Sequence, residues 1–474
     1  MGALLPRPPR GARLLQTIVS LGLCFWAARC LTVECNQTDI SCSPAAALLY
    51  LTGSTGVVTP VAWTTFAGGT GTDSANRAIQ TRDNGYVIVG PATATFGSPI
   101  NAFGGIGDMA IVRLDVNGNL LWNTFAGGAG QEVAYGVTEA TNGDIVVTGS
   151  ATATFGAPLN AFSAAIDIVV VRLNANGTQL WHTFLGGASN ESGQAIAATA
   201  DGGVVVAGPG ASNFGVPINA FAGSTDFAII KFDANGARLW NTFLGGANAQ
   251  DAYSISVAAN GDLLVSGVSN ENFGVPISAS AGSQELLLAR FDANGSPLWH
   301  TFAGGAGNDF PGTGAATTDG GYILSGRSDG TWGSPVSPHT AADDGVVVKF
   351  GSAGAREWHT FHGSATADIV MSVVQALDGS YCAAGTAGAA FGTPLNPYNA
   401  SDDIFALNLS ATGTLNWLTF YGSAGLDASG AVTAATDGGC LFAGRAAATF
   451  GAPIAAHAGG DDFALIKLFA NGTL

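Results

Sequence analysis

Seven tryptophans, Trp63, Trp122, Trp181, Trp240, Trp299, Trp358 and Trp417, stand 59 residues apart without one slip. A period with no insertion means that every copy meets its neighbours through one geometry and that no copy buries its apolar face alone. Nearly the whole chain is therefore one unit written seven times, and seven copies of one unit point to a closed ring.

Four strand signals recur within each period. In the fourth copy they are AYSISVA, DLLVSGV, LLLARFD and SPLWHTFAG, short runs of β-branched, aromatic and small apolar residues. Asn260-Gly261 and Asn294-Gly295 supply the positive φ of tight hairpin turns, and a longer loop joins the second run to the third. Each copy reads as a four-stranded antiparallel sheet, so residues 61–474 are expected to form an all-β, seven-bladed β-propeller. The last copy stops at FANGTL, short of its tryptophan strand, while VAWTTFAGG at 61–69 has that strand's sequence and no sheet of its own. It is expected to pair beside the strand around Phe463 to Leu468 and close the ring, which leaves no open sheet edge between copies. Glycine at 69 of 474 residues and only 10% charged residues agree with short strands and tight turns, and argue against helical bundles and disorder.

The beginning of the chain reads differently. Arg7, Arg10 and Arg13 precede an apolar run from Leu14 to Ala28, short for a membrane span but suited to the core of a signal peptide. Residues 1–30 are read as that signal and 31–60 as a tether of small and polar residues. Cys30, after Ala27-Ala28-Arg29, is the candidate for lipidation, which would make an exported chain a cell-surface or outer-membrane lipoprotein rather than a secreted one. Membrane contact is expected only through such an anchor. Cys35 and Cys42 could close a small loop in an oxidising compartment, while Cys382 and Cys440 read as buried small residues in strands. None has metal-ligand spacing. At a net charge of −17 the chain lacks the clustered cations that a duplex-binding surface needs, which excludes nucleic acid as a partner.

The run DFAIIKFDANGARLWNTFLGGANAQDAYSISVAANGDLLVSG carries a family likeness that recurs in every copy. Its Asp and Lys in the third strand, D-x-x-G turn, aromatic strand, G-G turn and G-x-x-x-x-G second hairpin resemble the bacterial β-propeller repeat called SBBP. The leader resembles spirochaetal surface lipoproteins. That likeness implies an exported or surface protein of a group generally without an assigned activity; no cofactor is expected. The loop after the second hairpin, TFGSPINAF, departs from the family's shorter segment, so nothing is carried over to it.

Several residue sets invite a chemical reading. Asp115, Asp233 and Asp292 open D-x-N-G elements that look like the start of a calcium loop, but further acidic ligands are missing and a hairpin turn accounts for them. One acidic row follows the G-G turn at Asp73, Glu132, Glu191, Asp309, Asp368 and Asp427, with Gln250 in the seventh place. A second opens the third strand at Asp108, Asp167, Asp226, Glu285, Asp344, Asp403 and Asp462. Short polar side chains at strand starts usually accept from backbone N–H groups of the adjoining turn, and a cation held by the ring is the alternative. Arg113, Arg172, Lys231, Arg290, Lys349 and Lys467 share one position of the third strand and read as a solvated or cross-strand-paired row. His182, His300 and His359 follow the tryptophan on the outer strand and are expected to face solvent.

Repetition marks what the architecture requires, whereas a site for one ligand should appear as deviation among copies. The last three copies deviate: they gain Arg327 and Arg445, a second carboxylate at Asp343, Asp402 and Asp461, and His339, Tyr398 and His457 where the first three carry Phe103, Phe162 and Phe221. In propellers the loop joining the second and third strands lies on the face opposite the tight hairpin turns, so these eight residues form the candidate binding set on a long-loop face. The expected function is a monomeric, non-enzymatic scaffold for a protein or glycan partner. A glycan lyase or hydrolase using the histidines and paired carboxylates is the second reading, and a structural surface spacer the third. No metal site is expected.

Overall fold

The computed structural model describes residues 61–474 apart from 164 and 400. The segments read as signal peptide and tether, with Cys30, Cys35 and Cys42, lie outside the described residues. Within them the chain forms 28 strands in seven four-stranded antiparallel sheets, with no helix. Blade one consists of an inner strand Arg77–Gln80, a second strand Tyr86–Ala92, a third strand Asp108–Leu114 and an outer strand Leu120–Ala126. The other blades repeat this order. Each inner strand adjoins the inner strands of the blades before and after it, the seventh returning to the first.

Closure follows the sequence expectation. Trp63–Ala67 pairs antiparallel with the third strand of blade seven, Asp462–Leu468, in the register Trp63 to Lys467 through Ala67 to Phe463. The first strand of the described chain is thus the outer strand of the last blade.

Second and third strands are buried on both faces, which is why they read as continuous apolar runs such as IVVTGSA and DIVVVRL rather than as alternating patterns. Their side chains fill seven clusters, each shared by two adjacent blades; Ile88 and Val112 of blade one, for example, pack with Leu441 and Leu465 of blade seven. The core is therefore a ring of interfaces, and no blade has one of its own.

Outer strands behave differently: their first residues are exposed and their last four largely buried. The long loop explains this, because it does not stand up on one face but folds over the rim along its own blade's outer strand. Ile100 N–H donates to Asn123 O at 2.9 Å and Phe125 N–H to Asn101 O at 3.3 Å, and the same two bonds recur in all seven blades, ending with Ile454 to Thr64 and Phe66 to Ala455. Glycine at the corner of the loop, Gly97 at φ 60° and its six equivalents, takes the left-handed conformation that lets the chain turn back.

This fold-over overturns the expectation for three histidines. His182, His300 and His359 are buried, at 2%, 8% and 1% exposure. Their rings stack on Phe155, Phe273 and Trp332 of the loop at centroid distances of 4.4, 4.6 and 3.9 Å. Each Nε2 donates to the carbonyl of the residue it stacks on. Burial lowers all three pKa values against the pull of that carbonyl, His359 to about 4.

The tryptophans staple blade to blade. Trp63 Nε1 donates to Val116 O in blade one at 3.1 Å, and Trp181 Nε1 to Ala234 O in blade three at 3.2 Å. A Cβ on Gly118 or Gly236 would strike the corresponding indole. Trp63 is buried, while the other six keep a partly exposed edge.

Candidate functional site

The eight candidate residues fall into two kinds. His339, Tyr398 and His457 occupy the slot that Phe103 fills in blade one, each edge-on to the buried phenylalanine of its outer strand: Phe361 at 5.4 Å, Phe420 at 5.7 Å and Phe66 at 5.9 Å, against Phe125 at 5.6 Å for Phe103. Their polar atoms are engaged internally. His339 Nε2 donates to Ser328 O, Tyr398 Oη to Gly388 O and His457 Nε2 to Ala446 O, at 3.2, 3.0 and 3.1 Å. Burial pushes up the carboxyls of Asp344 and Asp462 against the backbone N–H bonds from Thr340 and Ala458.

The charged residues remain more accessible. Arg327 pairs with Asp343 at 2.6 Å and Arg445 with Asp461 at 2.9 Å, with side-chain exposures from 23% to 39%. Arg327 also lies over the Phe310 ring, 4.5 Å from its centroid. Blade six has Thr386 in the arginine position and leaves Asp402 exposed, with no cationic partner among the described residues. The residue before each of these carboxylates has a positive φ, 54° at Ala342, 60° at Ser401 and 67° at Gly460. Ala165 in blade two, at 53°, does the same with no carboxylate after it, so the conformation belongs to the loop ending rather than to a site.

The two acidic rows come together at every blade junction. The second-row acid of one blade and the first-row residue of the next are brought alongside by a backbone bond such as Glu132 N–H to Gly107 O at 2.7 Å, present in all seven junctions. Each acid accepts from the N–H four residues before it, as in Gly69 to Asp73 at 2.8 Å and Gly104 to Asp108 at 2.7 Å. The turn reading of these rows is therefore correct for one carboxylate oxygen. The other is often left without a partner among the described residues, as at Asp73, Asp108, Glu132, Asp226, Asp344, Asp403 and Asp462. Between each pair sits the first glycine of the G-G turn: a Cβ on Gly127 would lie 2.5 Å from Asp108 Oδ1 and 2.6 Å from Glu132 Oε2. Burial is the main cause that raises these carboxyls, Asp73, Asp226 and Asp403 to about 6, with the facing acid adding to it at Asp73 and Asp403. In the Asp226 junction Gln250 stands in for the acid, and its Oε1 accepts from Gly246 N–H at 2.8 Å as a carboxylate would. Among the described residues no group of three or more His, Cys, Asp or Glu side chains is placed to hold a metal ion.

At its other end the third strand carries the cationic row, and here the paired reading holds. Lys231 meets Asp201 at 2.8 Å, Arg172 meets Asp144 at 2.9 Å and Lys467 meets Asp437 at 2.9 Å, all on the turn between the first and second strands of the same blade. The cations are buried, from 0% side-chain exposure at Lys467 to 15% at Arg290. Blade six replaces the ion pair with Asn408 donating to Ser380 at 2.8 Å.

Cys382 and Cys440 are buried as expected but joined in a disulfide. Their separation of 58, one short of the period, is a signal that the sequence carried. Side chains alternate along a strand, so a shift of one register turns one cysteine forward from blade six and the other back from blade seven, into the cluster between them.

No family model matches the chain. A stretch of 140 residues, 28% of the chain, is 28% identical to a regulatory protein, FlaEY, of Caulobacter vibrioides, of which the chain spans 15%. Solved structures resembling it include a protein of unknown function from Bacteroides caccae (12% identity, 70% of this chain and 94% of that one, TM-score 0.36). Another, from Dyadobacter fermentans, also of unknown function, is 10% identical over 73% of this chain and 97% of that one, with a TM-score of 0.41. A fungal alcohol oxidase in complex with copper matches at 12% identity, 85% and 76% coverage and a TM-score of 0.42. Likenesses of this size transfer no activity, so the functional reading rests on this chain's own residues.

Proposed function

We propose that this chain is an exported or cell-surface propeller of the SBBP type that acts without catalysis, as a scaffold recruiting a protein partner to blades five to seven. The observation that carries the reading is a break in symmetry. Blades five and seven each present a half-exposed arginine–aspartate pair, and blade six an exposed Asp402, at positions where the first four blades offer Pro91, Ser150, Pro209 and Val268 opposite Gly107, Ile166, Thr225 and Gln284. Exposed charges that the architecture does not require are suited to steering and orienting a charged protein surface. The histidines support no hydrolytic role, since each Nε2 is committed to a backbone carbonyl. Export is supported by the leader and by the Cys382–Cys440 disulfide, a bond that persists in oxidising compartments.

The test is an array of bacterial surface proteins probed with the full chain and with the double variant Arg327→Ser, Arg445→Ser, which copies Ser150 of blade two. Loss of the parent's binding signal in the variant is expected. The control His339→Phe, His457→Phe keeps the packing slot filled and is expected to bind as the parent does. An arginine variant that binds as well as the parent overturns the reading.

A further inference from the structure

We propose that the groove between blades one and two, on the face that carries the tight hairpin turns, is a binding site for a neutral saccharide. It goes beyond the partner surface of blades five to seven and shares no residue with it.

The groove measures about 650 Å³, within the range of roughly 300–1,000 Å³ usual for small-ligand sites. Its apolar part is the partly exposed edge of the Trp122 indole with Leu121, which is 56% exposed. One face of that indole is covered by Gly177, and the edge left open forms with Leu121 an apolar surface for the C–H face of a sugar ring. Polar groups surround that platform. Arg82 Nη1 donates to Thr141 O at 2.6 Å and its backbone N–H to Glu139 Oε2 at 2.9 Å, which fixes both side chains across the junction. Among the described residues, Arg82 Nε and Nη2, Glu139 Oε1, the Thr141 hydroxyl and the Asn176 side-chain amide have no partner. Together they offer donors and acceptors in one place, as a run of sugar hydroxyls that both donate and accept requires.

Charge narrows the class. Arg82 and Arg113 are balanced by Asp83 and Glu139, and Arg113 is bound to Asp83 at 2.5 Å. A phosphate, a nucleotide or a peptide terminus would find no net field to recognise it, whereas a neutral polyol needs none. Arg82 is the part that the architecture does not require: Gln80 and Gln375, the equivalents of Glu139, accept the same junction N–H from Thr436 and Thr318. At the positions equivalent to Arg82 the other six copies carry only Thr, Ala or Leu, and at those equivalent to Glu139 only Ala, Val or Gln.

The experiment is isothermal titration of the full chain with maltotetraose, cellotetraose, mannotetraose and chitotetraose, with tryptophan fluorescence as a second readout. At least one sugar is expected to bind, and Arg82→Ala, Glu139→Gln and Asn176→Ala each to weaken it by about tenfold or more. Asn235→Ala, the equivalent of Asn176 at the next junction, is expected to leave affinity unchanged. All three positions are on the surface, so each variant keeps the parent's near-UV circular dichroism and the comparison is of binding alone. The proposal is overturned if none of the four sugars binds at up to about 10 mM, or if the three variants bind as the parent does.

Discussion

The two ends of the third strand solve one problem in opposite ways. In Asp226–Phe232, Lys231 at one end is buried against an acid of its own blade, and Asp226 at the other is buried opposite the first-row position of the next blade. The cationic end is an ordinary ion pair. For Asp201 burial would raise the carboxyl, but Lys231, the Thr199 hydroxyl and Gly203 N–H outweigh it and draw the pKa down to about 2. Among the described residues the acidic end has no cation, and a carboxyl such as Asp73 is drawn up to about 6 by burial, against the Gly69 N–H and with the help of Asp462. Charge is thus paired within blades and left unpaired between them, where backbone N–H groups carry the load.

The largest effect should come from breaking the cationic end where both partners are buried. Lys467 and Asp437 have side-chain exposures of 0% and 3%, so Lys467→Ala strands a buried carboxylate and should cost about 3–5 kcal/mol in reversible denaturant unfolding. Lys231→Ala, whose partner Asp201 is 58% exposed, should cost clearly less. Equal costs would mean that the pairs act through packing of the lysine stem and not through charge. Next comes crowding of the acidic end. Gly127→Ala sets a methyl within 2.5 Å of Asp108 Oδ1 and 2.6 Å of Glu132 Oε2, and should cost about 1–3 kcal/mol; an unchanged unfolding midpoint would show that the facing carboxyls have room to move apart.

The two ends also oppose each other in pH. A carboxyl raised from 3.8 to about 6 contributes stability that is whole below its unfolded pKa and is lost as pH rises through 6. One lowered from 3.8 to about 2, as at Asp83, Asp201 and Asp319, contributes stability that is whole above its unfolded pKa and is lost as pH falls through 2. Both contributions are present together near pH 4. Urea midpoints measured from pH 2 to 8 should therefore peak in the mildly acidic range, and a plateau continuing to pH 8 would sink the account of the acidic end. The smallest and sharpest effect isolates one junction: Asp73→Asn, which imitates Gln250, should gain about 1 kcal/mol at pH 8 and nothing at pH 4. A gain independent of pH would assign the effect to hydrogen bonding rather than to charge.

Much of this was legible in residues. The closing strand could be placed because VAWTTFAGG repeats the tryptophan motif and blade seven lacks one. The acid bonds to turn N–H groups followed from short polar side chains at strand starts. The candidate set on blades five to seven was found by asking where copies deviate, and that question located the half-exposed Arg327–Asp343 and Arg445–Asp461 pairs. It also drew in His339 and His457, which fill the same packing slot as Phe103, since a substitution between aromatic rings that fill one slot looks in sequence like a change of chemistry. Arg82 and Glu139 were passed over, although they too deviate from every other copy, because they lie 57 residues apart and meet only across a blade junction.

By itself, then, the sequence determined the ring: the count of blades, the order of strands, the turns and the closure, because these follow from a strict period and from side-chain alternation, which are properties of each copy. Tertiary structure alone decided where the non-periodic loop goes and what faces what between copies. The loop lies down over the outer strand because that strand's backbone groups and apolar residues would otherwise meet water, and in doing so it buries His182, His300 and His359. The carboxyl pairs, the Cys382–Cys440 bond and the groove of blades one and two are contacts between copies, set by the angle and spacing at which one blade meets the next, quantities that no single repeat encodes in its own residues.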